Sequence, residues 1–81
     1  MITADNVRRL LASDTDTVLV LVEGRVEVVG RAALDSDAYR GALQVITRDE
    51  LLEQAGGEQL SDRELAEQAA ALDMAVSELG G

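Results

Sequence analysis

Two Asp-x-Asp pairs are the residues of this chain whose type and spacing could support chemistry. Asp14 and Asp16 form the first pair, and Asp35 and Asp37 form the second. Paired carboxylates suit hard cations such as Mg²⁺ and Ca²⁺, so Asp35 and Asp37 are the candidate metal ligands. Neither pair fits a calcium-binding loop; counted from Asp35, Arg40 occupies the position that requires glycine. We favour the interpretation that both pairs start turns or helices.

Several residue types that most catalytic sites need are missing. The 81 residues include no Cys, His, Lys, Pro, Trp or Phe. Without His there is no Ser-His-Asp triad, and without Cys or His zinc and iron–sulfur sites are excluded. Without Lys the chain forms neither a Schiff base nor a P-loop. Tyr39 is the only aromatic residue, so bases have no stacking platform. We expect a protein that is not an enzyme and uses no cofactor.

The charge of the chain restricts its partners. Sixteen acidic residues against seven arginines give a net charge of −9. Such a surface disfavours nucleic acid and anionic membranes, because both attract cationic groups. The longest apolar run, Val18 to Val22, is far shorter than the ~20 residues of a membrane-spanning helix. The N-terminal residues lack the pattern of a secretory signal, so we expect a cytoplasmic location.

Local patterns predict an α+β fold with the order α-β-β-β-α-α over residues 1–81. Thr3, Thr47 and Ser61 stand where helix N-caps are expected, and Glu50 and Glu64 complete two capping boxes. Runs of β-branched residues predict a three-stranded, mainly antiparallel sheet packed by helices. The predicted elements are helices over 4–12, 48–55 and 62–79, and strands over 17–22, 25–30 and 42–46.

Two details of the sheet are less determined by the pattern. A three-residue hairpin loop, Glu23-Gly24-Arg25, would place Val20 opposite Val28 on the neighbouring strand. We favour this loop because it pairs two apolar residues. Residues 31–41 allow either a tight turn, which makes the strands a meander, or a helical turn. The helical turn would carry the third strand over to lie beside the first. We favour the meander, because sequential strands are usually neighbours.

A heptad seam on the third helix is the candidate interface. A second apolar row, formed by Ala66, Ala70 and Met74, lies beside the seam. The seam either packs into the core or pairs with a second chain. The first strand is apolar on both faces, and three short helices cover it poorly, so we expect a homodimer. The seam residues are Leu65, Ala69, Leu72, Val76 and Leu79.

The C-terminal part of the chain carries most of the negative charge. Residues 48–81 contain nine acidic residues and two arginines, which gives a net charge of −7. Such a face is usually just solvated, and this is the interpretation we favour. The alternative is a docking surface for a basic protein partner. Its carboxylates are Glu50, Glu53, Glu58, Asp62, Glu64, Glu67, Asp73 and Glu78.

Two short segments resemble parts of known families. Residues 42–52, Ala-Leu-Gln-Val-Ile-Thr-Arg-Asp-Glu-Leu-Leu, are similar to the strand-into-helix segment of a CBS-type (cystathionine-β-synthase) regulatory module. That resemblance implies adenine-nucleotide binding by paired modules. Gly80-Gly81 resembles the tail of ubiquitin-like sulfur carriers, although a strand rather than a helix precedes the glycines in those proteins. A helix end explains these glycines better.

These observations favour a small, acidic, homodimeric protein-interaction or regulatory domain without enzymatic activity. The alternative is a module that senses a small ligand or nucleotide at the sheet edge and at the helix start near Thr47. A third hypothesis is a metal-dependent enzyme that uses the Asp-x-Asp carboxylates.

Overall fold

Three helices and a three-stranded antiparallel sheet make up the computed structural model, in the predicted order α-β-β-β-α-α. The structure describes residues 1–78, so the predictions made for Leu79 and for Gly80-Gly81 lie outside it. None of the helices within residues 1–78 is long and apolar enough to cross a membrane. The elements are α1 (Ala4–Ala12), β1 (Thr17–Val22), β2 (Arg25–Gly30), two 3-10 helices (Arg31–Asp35 and Asp37–Tyr39), β3 (Leu43–Thr47), α2 (Arg48–Ala55) and α3 (Asp62–Glu78).

Each helix begins at a capping box, as the sequence predicts for α2 and α3. The Glu50 amide donates to Thr47 Oγ1 at 3.2 Å, and the Thr47 amide donates to Glu50 Oε1 at 3.0 Å. Ser61 and Glu64 repeat this exchange at 3.2 and 2.9 Å. The backbone hydrogen bonds that their carboxylates accept lower the pKa of Glu50 and of Glu64. In α1 Asn6 performs the role of the glutamate.

The hairpin between β1 and β2 has a two-residue loop, so the predicted three-residue loop is wrong. Val20 lies opposite Glu27 rather than Val28. Glu23 and Gly24 adopt positive φ angles of 49° and 76°. Left-handed conformations at both central positions belong to the type I′ turn, whose twist matches that of the strands it joins. The twist of the turn therefore outweighs the cost of placing a glutamate opposite a valine.

The strand order is β2-β1-β3, so the favoured meander is wrong and the crossover is confirmed. The chain leaves β2, forms the two 3-10 helices and returns as β3 on the other side of β1. β1 is consequently the central strand and is paired along both edges. β3 carries an irregularity in its pairing with β1, at the step from Leu19 to Val20.

Both faces of β1 are covered within the single chain. On one face Leu19 packs in the main core, which α1, α2 and α3 complete. On the other face Val18, Val20 and Val22 form a second cluster. The second cluster is covered by Val29 from β2 and by the crossover residues Leu34, Tyr39 and Ala42. The crossover therefore supplies cover that we expected from a second chain.

Tyr39 ties the crossover to the sheet. Its hydroxyl donates to Glu27 Oε1 at 2.8 Å, and Arg25 Nη2 lies 3.2 Å from the same carboxylate. The hydrogen bond to Glu27 raises the pKa of the Tyr39 hydroxyl. The ring packs on the valines of the second cluster. Tyr39 thus packs on the second cluster with its ring and binds Glu27 at the edge of that cluster with its hydroxyl.

We expect Tyr39→Ala to lower the free energy of unfolding by about 2 kcal/mol, because it uncovers part of the second cluster. Tyr39→Phe keeps the ring and loses only the hydrogen bond, so it should cost less than Tyr39→Ala. Urea denaturation measures both, with Arg40→Ala on the exposed surface as control. Equal stability of Tyr39→Ala and the control would show that the crossover is not part of the core.

Candidate functional site

The Asp-x-Asp pairs lie on the surface. Asp35 ends the first 3-10 helix and Asp37 begins the second, and Asp37 is 3.0 Å from Arg40 Nη2. Asp14 and Asp16 are also exposed, and their backbone carbonyls accept hydrogen bonds within the protein. Among the residues that the structure describes, no group of three or more acidic, His or Cys side chains could hold a metal ion. The observed contacts are those of turns and helix ends.

The predicted seam of α3 faces the interior of its own chain. Its described members are each at most 7% exposed and belong to the main core, where α3 packs against α1. This is the core-packing alternative, with α1 rather than the sheet as the neighbour. A second chain has no access to these side chains while α1 covers them. The residues concerned are Leu65, Ala69, Leu72 and Val76.

The opposite side of α3 is open to solvent, and we call it the outer face. Ala66, Ala70 and Met74 lie along it, all exposed, between Arg63 near its start and Glu78 at its end. Met74 is 64% exposed, whereas most large apolar side chains of the described residues are buried or half-buried. The second row predicted from the sequence therefore points outward, and the two rows of α3 have different surroundings.

Most of the acidic surface is engaged within the chain. Asp73 Oδ1 accepts a hydrogen bond from the Ile2 amide at 3.0 Å, which lowers the pKa of Asp73 and holds the start of the chain against α3. Arg8 Nη2 lies 3.2 Å from Asp62, another contact between α1 and α3. Six of the eight carboxylates have such partners: Glu50, Glu58, Asp62, Glu64, Glu67 and Asp73. These contacts support structural roles; a basic partner stays a prediction.

A cleft that no sequence pattern predicts lies beside Arg48. Arg48 opens α2, yet the residue is only 8% exposed. Its Nε donates to the Leu11 carbonyl at 3.2 Å, and its Nη2 pairs with Glu58 Oε1 at 2.6 Å. The guanidinium thus joins the end of α1 to the α2–α3 loop, at the wall of an open cleft of about 550 Å³. An arginine in the first turn of a helix is unfavourable with the helix dipole. This unusual position was the one feature of the sequence that could have indicated a special role for Arg48.

The segment that resembles a CBS-type module forms β3 and the first part of α2. Its Thr47 hydroxyl is occupied by the Glu50 amide, in the capping box described above. No protein-family model, no curated protein and no solved structure matches this chain. The surfaces that remain as candidates are the outer face of α3 and the Arg48 cleft.

We expect Arg48→Met to lower the free energy of unfolding by about 2 kcal/mol, because hydrogen bonds from a charged donor are lost at a buried position. Glu58→Gln should cost less than about 1 kcal/mol, since Glu58 is largely exposed and its pair is partly screened. Chemical denaturation tests both, with Arg40→Met as the exposed control. If all three variants unfold at the same urea concentration, Arg48 does not join the helices energetically.

Proposed function

We propose that this chain is a small, non-enzymatic interaction domain of the cytoplasm that binds a protein partner through the outer face of α3. The observation that carries the proposal is Met74, 64% exposed in line with Ala66 and Ala70. The other row of the same helix is buried in the core. The outer row therefore does not pack against other described residues, and a bound partner would bury it.

The side chains of the outer face suit a helical partner. Alanines at Ala66 and Ala70 allow a second helix to approach closely. Methionine is flexible and polarizable, and it adapts to irregular apolar surfaces. Two charged groups on the same face, Arg63 and Glu67, add orientation. Together they describe a narrow contact surface of one helix length.

Site-specific photo-crosslinking tests this proposal. We expect a photoreactive amino acid at position 70 to form covalent protein adducts in living cells that express the chain. The same group in place of Glu53, an exposed residue of α2, should form few. Gel mobility and mass spectrometry measure the adducts. Equal yields at the two positions would refute a binding role for the outer face.

The Arg48 cleft supports ligand sensing as a second candidate function. The Arg48 guanidinium, which pairs with Glu58, and the apolar side chains of Leu11 and Leu60 line it. A small anionic ligand such as a nucleotide would bind here by taking the place of the Glu58 carboxylate on Arg48. The ligand site is thus proposed at Arg48, the residue after Thr47 at the start of α2.

Thermal-shift measurements with adenine nucleotides and divalent ions test ligand sensing. We expect a saturable rise in melting temperature that Arg48→Met abolishes, because ligand binding stabilises only the folded state. Arg40→Met serves again as the control. The absence of a shift with any of these ligands would reject the sensing role.

A further inference from the structure

We infer that the partner of the outer face of α3 is a second copy of this chain, bound so that the two α3 helices run antiparallel. This inference rests on the proposed function and specifies its partner. It is carried by the positions of two opposite charges on the helix, together with the apolar row between them.

Arg63 of one copy lies opposite Glu78 of the other when a twofold axis passes between Ala70 and Ala71. Arg63 stands seven residues before Ala70, and Glu78 stands seven residues after Ala71. Seven residues are nearly two full helical turns, so each charge stays close to the face on which its alanine lies. An antiparallel pair therefore brings Arg63 of each copy level with Glu78 of the other. The symmetry makes two such ion pairs in one dimer.

Arg63 is available for this contact. Its side chain is 89% exposed, and its Nε lies 4.0 Å from Glu67 Oε2, at the outer limit of an ion pair. A parallel arrangement would instead place Arg63 beside Arg63 and Glu78 beside Glu78. It would also align the two helix dipoles, which antiparallel helices oppose. Charge complementarity thus selects the antiparallel arrangement.

The middle of the antiparallel pair is small and apolar. Ala70 and Ala71 of the two copies cross at the axis, where their small side chains permit close contact. Met74 of each copy then lies beside Ala66 and Glu67 of the other and buries its exposed thioether. The methylene groups of Glu67 can cover this thioether while the carboxylate stays in water.

The size of the contact predicts a weak dimer. The 17 residues of α3 form a helix of about 25 Å, and one helix face buries less than the ~1,200 Å² of a standard interface. We expect a dissociation constant on the order of 100 μM. Sedimentation equilibrium from about 10 μM to about 1 mM should show the mass rising from 8.6 kDa toward twice that value.

A charge-swap series tests the arrangement of the helices. Arg63→Glu alone and Glu78→Arg alone each create two like-charge contacts in the homodimer, so each should weaken pairing about tenfold. An equimolar mixture of the two variants should regain pairing, because every contact in the mixed dimer is again between opposite charges. The double variant should pair for the same reason. Arg40→Glu and Glu53→Arg change the net charge equally and should leave pairing unchanged.

The outcomes separate this inference from the proposed function. A mass of 8.6 kDa at every concentration, with adducts to another protein at position 70, overturns self-pairing and leaves the binding role intact. Dimers that the single swaps do not weaken, or that the mixture does not restore, overturn the antiparallel arrangement. A monomer that forms no adducts at position 70 overturns both. Circular dichroism of each variant confirms that α3 is still folded.

Discussion

The burial of β1 on both faces is the constraint on which the rest of the structure depends. Val18, Leu19 and Val20 are each at most 1% exposed, although they alternate between opposite sides of the sheet. In a chain of 81 residues, two apolar faces require two separate layers of cover. The helices provide one layer, and the crossover between β2 and β3 provides the other. The strand order follows, because this crossover carries β3 to the free edge of β1.

Because β1 is covered within one chain, self-association is not needed to complete the core. An uncovered strand would have demanded a second chain as part of the core. With β1 covered, the chain has no such demand, and any pairing must use surface that the fold does not need. The outer face of α3 meets this condition, because the inner row of the same helix already packs against α1. In the proposed dimer, the side of α3 that stabilises the fold and the side that binds the partner are opposite each other.

Features that depend on neighbouring residues were predictable, and features that depend on distant contacts were not. Helix starts follow from exchanges such as that of Thr47 with Glu50, three residues apart. The two apolar rows of α3 follow from their spacing, but which row faces out depends on how α1 packs against the helix. The strand order depends on how residues 31–42 pack, which no local pattern specifies. Likewise, Arg48 is buried because it meets the carbonyl of Leu11, 37 residues earlier.

The second layer also has a dynamic consequence, since it is made of irregular backbone. The two 3-10 helices are short, and several of their side chains, such as those of Asp35 and Ala38, face solvent. Such a segment can detach without breaking the strand ladders of the sheet, whereas β1 opens only when the whole domain unfolds. Amide protons of residues 31–42 should therefore exchange with solvent far sooner than those of β1. Proteases should make their first cut in the same segment, and each opening briefly exposes a valine surface suited to aggregation.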